Sequence, residues 1–458
     1  MAVDTIVRNC KIVSPEGLSQ EDIAINSGKI VAIGDATYLP QADKTIDAQG
    51  HYVLPGIIDG HVHVGLFHPL KDEVKDTAAA AFAGTTTVGN YVGMGASAQR
   101  RSYADGFDQW KEIWEENAFV DSFFHGGVIS EEIMLEIPEN ARRYGIISHK
   151  FMMSSKGPEA EKMGNAQTDD GFLWFGFKNI TSLGYPARAM VHAEDIDIIR
   201  RMTSAVKDSK RQDLEAWDEA RPGFCETLDV ERAISLARKN STPLYIVHVS
   251  NGASVDVIAR AKAEGIDVIG ETCPQYLTLS RSSSLGALCK IAPPLRDEPS
   301  QERLWQGIRE GTIECIGSDH CSTTKEMKKN LWEGPPGAPG MGTLLPIMLS
   351  EGVNKGKITL EKLVEVCCFN NAKISGIYPQ KGTLQVGSDA DLVIIDLHKK
   401  VKLTPEQMHY EVADYSPFEG WEVKGWPVLT MLRGRVIVED GKFASTPGVG
   451  KYIPRELA

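Results

Sequence analysis

Four consecutive segments, LDVERAISLARKN (228–240), LYIVHVS (244–250), ASVDVIARAKAEG (253–265) and DVIGETCP (267–274), decide the fold. In the first and third, apolar residues recur at spacings of three and four, the period of a helix with one covered face. The second and fourth are short apolar runs rich in β-formers. Such alternation is the signature of βα repeats around a parallel sheet. Working outward, the same texture supplies VLPGIID (53–59), TTTVGNYV (85–92), VDSFFHGGV (120–128), IISHKFMM (146–153), RAMVHAE (188–194) and IECIGSD (313–319). Eight strands with helical crossovers predict an α/β chain built on a TIM-like (β/α)8 barrel; an open doubly wound sheet is the competing arrangement.

The ends of the chain read differently. DTIVRNCKIV (4–13), DIAINS (22–27) and KIVAIGD (29–35) are short strands broken by the turn residues Pro15, Gly17, Ser27 and Gly28. ADLVIIDL (390–397), VLTMLRG (428–434) and RVIVEDGKF (435–443) repeat that pattern near the other terminus. Each end alone is short for burying a core, so the two are expected to share one sheet domain. The expected division is 1–52 and 385–458 for that domain and 53–384 for the barrel.

The chain has 458 residues and a formal charge of -13, which argues against a nucleic-acid partner. At 42% hydrophobic and 24% charged, its composition is that of a globular protein. No window approaches the roughly 18 consecutive apolar residues of a membrane span, and MAVDTIVRNCKIV lacks a signal peptide's apolar core. A cytoplasmic protein with no membrane partner is expected. The eight cysteines are scattered without a CxxC pair and are expected as reduced core thiols.

In a barrel of this kind, catalytic groups gather at the C-terminal ends of the strands. GHVH places His61 and His63 just after the first strand, with period-two alternation turning both rings to one side. RAMVHAED ends the fifth strand in His192, LYIVHVSN the sixth in His248, and IGSDH the eighth in Asp319. Taken singly, each histidine is more simply a hydrogen-bonded ring, and Asp319 serves equally well as a helix N-cap. Four imidazoles converging from three strand ends are better explained as a metal site.

Lys150 is the only fixed cation in the apolar strand IISHKFMM, where desolvation lowers its pKa. A neutral amine can add carbon dioxide, and the resulting carbamate, N6-carboxylysine, has two oxygens able to bridge two cations. Pairing with a nearby acid is the plainer alternative; the four histidines outweigh it. Two divalent ions bring four positive charges against three negative ones from the carbamate, Asp319 and a bridging hydroxide, leaving a small excess to polarise a carbonyl. One zinc takes three protein ligands and a water, so six candidates suit a pair of ions about 3.5–4 Å apart. Imidazole and carboxylate suit zinc, manganese and cobalt alike.

PGIIDGHVH, the Lys150 strand, VHAED, IVHVSN, GETCPQY, APPLRD, GSDH and GSDADLVIIDL follow in order through essentially the whole chain. Together they resemble the cyclic amidohydrolases of the hydantoinase and dihydropyrimidinase family, within the amidohydrolase superfamily. The resemblance implies an α/β barrel flanked by a β-sandwich from both termini, two divalent ions of the zinc type and a homotetramer. It also implies that His61, His63, carboxylated Lys150 and Asp319 hold one ion, and Lys150, His192 and His248 the other. The implied reaction opens a cyclic amide or ureide, such as a 5-substituted hydantoin, to an N-carbamoyl amino acid by attack of a metal-bridging hydroxide. Asp319 would take the proton and return it to the departing ring nitrogen.

The sequence departs from the family pattern at two positions expected to touch substrate. Family members often carry a tyrosine five residues beyond the carboxylated lysine; Ser155 stands there, in the run Met152, Met153, Ser154, Ser155, which is closer to L-selective or unspecific bacterial hydantoinases. Pro336, in EGPPGAPG, occupies a position where an asparagine is frequent. Dihydroorotases place an arginine two residues after their HxH, and Gly65 stands there, which disfavours that activity. Dihydropyrimidinase and allantoinase remain as alternatives. Leu66, Phe67 and Leu70 either wall the substrate or pack beneath the loop after His63. The competing class is a catalytically silent scaffold relative, which would have lost metal ligands; this chain keeps all six.

Overall fold

A computed structural model of the chain describes residues 2–98 and 102–457. Its centre is a parallel sheet of nine strands: β1 (Ile57–His63), β2 (Thr85–Val92), β3 (Asp121–Gly127), β4 (Ser148–Met152), β5 (Arg188–His192), β6 (Leu244–Ile246), β7 (Val268–Thr272), β8 (Ile313–Ile316) and β9 (His320–Cys321). From β1 to β8 each strand pairs with the next in sequence, and β9 pairs with β1 through His320 opposite Val62 and Cys321 opposite His63. The sheet is thus a curled one with helical crossovers. Helices cover its outer face, so β1, β2 and β3 are buried along their full length, as parallel strands are.

Helix Gly223–Asn240 separates β5 from β6, and Gly252–Ala263 separates β6 from β7. The second begins where the Asn251 side chain accepts from the backbone N–H groups of Ala253 and Ser254, satisfying two otherwise orphaned donors. Val255, Val257, Ile258 and Ala261 form its buried face, the three-and-four spacing read from the sequence.

Two details differ from that reading. VLPGIID is not one strand: Tyr52–Pro55 pairs with the chain ends, against Leu392–Lys402 and Lys11–Ser14, and only Ile57 onward enters the curled sheet. Gly56 makes the crossing, because a Cβ there would lie 2.1 Å from Thr86 Oγ1. The HVH triplet is consequently inside β1 rather than after it. Ala42–Asp47 is a further strand whose polar, largely exposed residues gave no apolar signal.

The termini build two sheets. Lys29–Gly34, Asp22–Asn26, Val3–Arg8 and Ala42–Asp47 form one; seven strands from both ends of the chain form the other, with Tyr52–Pro55 beside Leu392–Lys402 at its centre. Val7, Ile23, Ile25 and Ile46 from the first sheet share one buried cluster with Val53, Ile394 and Met431 from the second. The termini meet the curled sheet at Lys381, whose Nζ lies 2.6 Å from Asp121 Oδ2 at the start of β3, 2.6 Å from Asp391 Oδ2 and 2.9 Å from Asp389 Oδ2. All eight cysteines are buried and free, and among the described residues no helix is long and apolar enough to cross a membrane.

Candidate metal centre and its cavity

His61 and His63 are two apart in β1 and turn the same way. Asp319 reaches them from the bend between β8 and β9. His61 Nε2 lies 3.2 Å from His63 Nε2 and 3.1 Å from Asp319 Oδ1, and His63 Nε2 lies 3.2 Å from that same oxygen. These separations match the edge, about 3.3 Å, of a coordination tetrahedron with bonds of about 2.0 Å. The lone pairs are turned inward to suit. His61 Nδ1, 2.6 Å from Glu271 Oε1, donates its proton there, which fixes the ring so that Nε2 faces His63 and Asp319.

A second pair lies alongside. His192 Nδ1 is 3.0 Å from His248 Nε2, and His192 Nε2 donates to Glu194 Oε2 at 2.9 Å, an oxygen that Arg221 also holds at 2.5 Å. The His61 and His248 rings stack with centroids 5.5 Å apart, which joins the pairs. Both groups therefore have what a metal-ligating histidine needs: a ring nitrogen facing inward and, for His61 and His192, a carboxylate on the other nitrogen that fixes the ring's orientation.

Lys150 sits mid-strand in β4, opposite Gly127 and Met190, and is 1% exposed. It forms no ion pair among the described residues, and its Nζ lies 4.9 Å above the Tyr91 ring. Burial pulls its ammonium down to about 8, against the opposing pull of Asp319 and Glu271. Burial likewise lowers His63 to about 4, so that ring is neutral at physiological pH. Burial lowers His61 as well, but Glu271 and Asp319 outweigh it and raise the ring to about 9. Burial pushes Asp319 up, yet the His61 and His63 rings hold its carboxyl well below the ordinary range, so it is ionised.

Two of the converging residues carry strained backbone. His248 has φ 40° and Asp319 φ 49°, the left-handed region that non-glycine residues rarely adopt. They lie beyond the strands rather than in them, since β6 stops at Ile246 and β8 at Ile316. Asp59 braces the second bend: its Oδ1 accepts from Ser318 N at 2.8 Å and from His61 N at 3.3 Å.

Above the cluster opens a cavity of about 440 Å3. His63, Lys150, His192, His248 and Asp319 are on its floor, and Leu66, Phe67, Met94, Ile129, Met152 and Met163 supply an apolar wall. Pro336 lines it as well. Ser155 does not; it is buried, and its Oγ has no hydrogen-bond partner among the described residues. The two readings of the loop after His63 divide between its residues: Leu66 and Phe67 face the cavity, whereas Leu70 packs beneath, where a Cβ on Gly65 would lie 3.3 Å from it. A wider cleft of about 720 Å3, lined by Phe224, Arg281 and Asp297, holds none of the clustered side chains.

Glu271, Glu194, Asp59 and Tyr91 are the residues that the sequence did not single out. The first three stood inside quoted motifs, GETCPQY, VHAED and PGIIDGHVH, where a carboxylate beside or between metal-type ligands was the available signal. Tyr91 offered none.

Histidines and an aspartate at the strand ends, with a buried lysine within the sheet, point to a metal-dependent hydrolase, and the comparisons agree. The amidohydrolase family model matches residues 185–437. The chain is 38% identical to the L-hydantoinase of Paenarthrobacter aurescens, covering 99% of this chain and 98% of that one. It is 36% identical to the D-hydantoinase of Geobacillus stearothermophilus, covering 98% and 96%. The solved structure of an L-hydantoinase (dihydropyrimidinase) from Arthrobacter aurescens superposes with TM-score 0.92 at 37% identity, covering 99% of this chain and all of that one. The chain belongs to the amidohydrolase family. Within it, this is a cyclic amidohydrolase of the hydantoinase and dihydropyrimidinase kind.

Proposed function

We propose that the protein opens hydantoin-type rings carrying an apolar substituent, giving N-carbamoyl amino acids, with two divalent ions in the cluster. The observation that carries this is the convergence of four histidines, Lys150 and Asp319, all but His61 on the floor of a largely apolar cavity. His61, His63, Asp319 and the carbamate of Lys150 would hold one ion, and that carbamate with His192 and His248 the other; zinc suits this nitrogen and oxygen set. Bound there, the ions supply Lewis acidity toward a ring carbonyl and an acidified water as nucleophile.

The chain's own residues do the rest. The neutral Lys150 amine forms an N–C bond to carbon dioxide and releases one proton, leaving the carbamate. Asp319, ionised and on the cavity floor, accepts the proton of the attacking water and returns it to the departing ring nitrogen. Glu271 and Glu194 orient the rings of His61 and His192. Leu66, Phe67 and the methionines receive the substituent at ring carbon 5, a wall ill matched to the polar ureido group of allantoin.

The pairing of β9 with β1 supports a closed (β/α)8 barrel in which β8 and β9 form one stave. The β-sandwich would be 1–52 with 385–458, extended to Pro55 by the pairing of that segment, and the barrel would run on to 384. Likeness to the family supports a cytoplasmic homotetramer.

Two measurements test the proposal. Metal analysis of purified protein is expected to find about two divalent ions per chain; none would support the silent-scaffold reading. Ring opening is then measured on hydantoin, 5-aryl and 5-alkyl hydantoins, dihydrouracil and allantoin. Turnover of an apolar 5-substituted hydantoin is expected, and failure on every compound would overturn the assignment.

A further inference from the structure

At the other end of the curled sheet, where the strands begin, the C-terminal segment folds back against the core. Ile453 N donates to Ser122 O at 2.7 Å, and Arg455 carries its guanidinium inward until it is 3% exposed. Nη1 donates to Ser148 Oγ at 2.8 Å, Nη2 donates to the Phe124 carbonyl, and the guanidinium carbon lies 4.9 Å from the centre of the Phe123 ring. Its Nε has no partner among the described residues, and none of their carboxylates forms an ion pair with it.

Apart from Asp267, which is paired with Arg188, the neighbouring network supplies no negative charge. His125 Nε2 donates to Gly60 O at 3.0 Å, so Nδ1 accepts the Ser148 hydroxyl proton at 2.5 Å, and that hydroxyl oxygen receives Arg455. Burial, with Arg455 beside it, holds His125 well below its ordinary range and therefore neutral. Arg188, at the first position of β5, gives Nη1 to Asp267 Oδ1 at 2.7 Å and also leaves Nε unpartnered among the described residues. Both arginines line one small pocket of about 10 Å3, together with Ser148, Met190, Tyr245 and Ser375.

A buried cation without a counter-charge is costly, and an aromatic face offsets only part of that cost. The pocket has room for about one atom-sized sphere, too little for a carboxylate or phosphate. We propose that a single monatomic anion, chloride in ordinary salt, occupies this pocket between the guanidinium groups of Arg455 and Arg188. It neutralises Arg455 and fastens the C-terminal segment to the base of the sheet. The site is independent of the metal cluster at the opposite strand ends and of the reaction proposed there.

The metal-loaded protein and R455M, which keeps much of the side chain's bulk and removes its charge, are melted in sodium chloride, bromide and gluconate at equal ionic strength. For the native chain, a saturable rise in Tm of about 1–3 °C in both halides over gluconate is expected, and for R455M none. Native crystals soaked in bromide are expected to show an anomalous peak between residues 188 and 455. Melting that follows ionic strength alone overturns the proposal. So does a halide rise that R455M retains, which is what a halide bound at the metal cluster would produce. Should R455M fail to fold, the crystal decides: a water in place of bromide overturns it.

Discussion

Lys150, on the cavity floor, and Lys381, where the terminal strands meet the curled sheet, are each only 1% exposed, and their surroundings drive them in opposite directions. Lys381 is ringed by Asp121, Asp389 and Asp391, which overcome burial and raise its pKa above the ordinary lysine value. Lys150 has no such pair, so burial wins and lowers it to about 8. The difference lies wholly in the carboxylates at hand. One lysine is a permanent cation that joins two parts of the fold; the other is a buried amine with a lowered pKa, the state that the proposed carboxylation requires.

The comparison breaks first at Lys150. Lys150→Ala is expected to lose bound metal and about a thousand-fold or more in hydantoin turnover. A short carboxylic acid filling the vacated space is expected to restore part of both. Native activity in this variant at normal metal content would refute the bridging role.

Lys381→Met is expected to do the reverse, sparing kcat/KM while costing about 3–5 kcal/mol of stability, because it leaves buried carboxylates without their cation. The denaturant midpoint, at unchanged slope, measures it. The raised pKa of Lys381 means that its contribution is full below the unfolded lysine value of about 10.4 and is lost as pH rises through the higher folded value. Burial pushes Asp389 up, but Lys381 holds it below its ordinary value, so its contribution is present above about pH 3.9 and is lost as pH falls through the lower folded value. Burial raises Asp391 instead, so Asp389 and Asp391 do not share the load evenly. The junction is thus expected to hold across the neutral range.

Lys150 supplies the contrasting pH dependence. Its depressed pKa leaves only a minor neutral fraction below about pH 8. In chelator-stripped protein given metal at a fixed concentration of dissolved carbon dioxide, the rate of recovery of activity is expected to fall about tenfold per pH unit below about 8 and to level off above it. A rate independent of pH between 6 and 8 would mean that the free amine is not the species carboxylated.

The sequence disclosed the cluster better than its supports. His61, His63, His192, His248, Asp319 and Lys150 were legible because a polar group ending, or interrupting, an apolar strand conflicts with burial and therefore calls for a reason. Glu271 was not, since the ring it orients is 210 positions away and only the curling of the sheet brings them together. Strands were legible where they were apolar. Ala42–Asp47 was missed because five of its six residues lie on or near the surface and carry no hydrophobic period. The break at Gly56 was hidden for the opposite reason: the apolar run continues across a change of sheet, and only the contact with Thr86 forces the division.

The smallest expected effect concerns a residue with no sequence signal, Glu73. Its Oε2 accepts from Gly65 N at 2.5 Å and Leu66 N at 3.1 Å, and its Oε1 from Phe67 N at 3.2 Å and His68 N at 2.8 Å. One carboxylate thus gathers four successive backbone donors and sets where Leu66 and Phe67 stand in the cavity wall. Glu73→Gln keeps the shape but replaces one acceptor oxygen with a donor, so two of the four N–H groups lose their partner. With about 1 kcal/mol of that lost hydrogen bonding carried into the placement of the wall, KM for a 5-aryl hydantoin is expected to rise about fivefold with kcat nearly unchanged. Unsubstituted hydantoin, which has nothing to place against Leu66 and Phe67, is expected to show little change. An equal rise for both substrates would mean that the loop positions the ring itself, and the wall would then have to be assigned to Met94, Ile129 and Met152 instead.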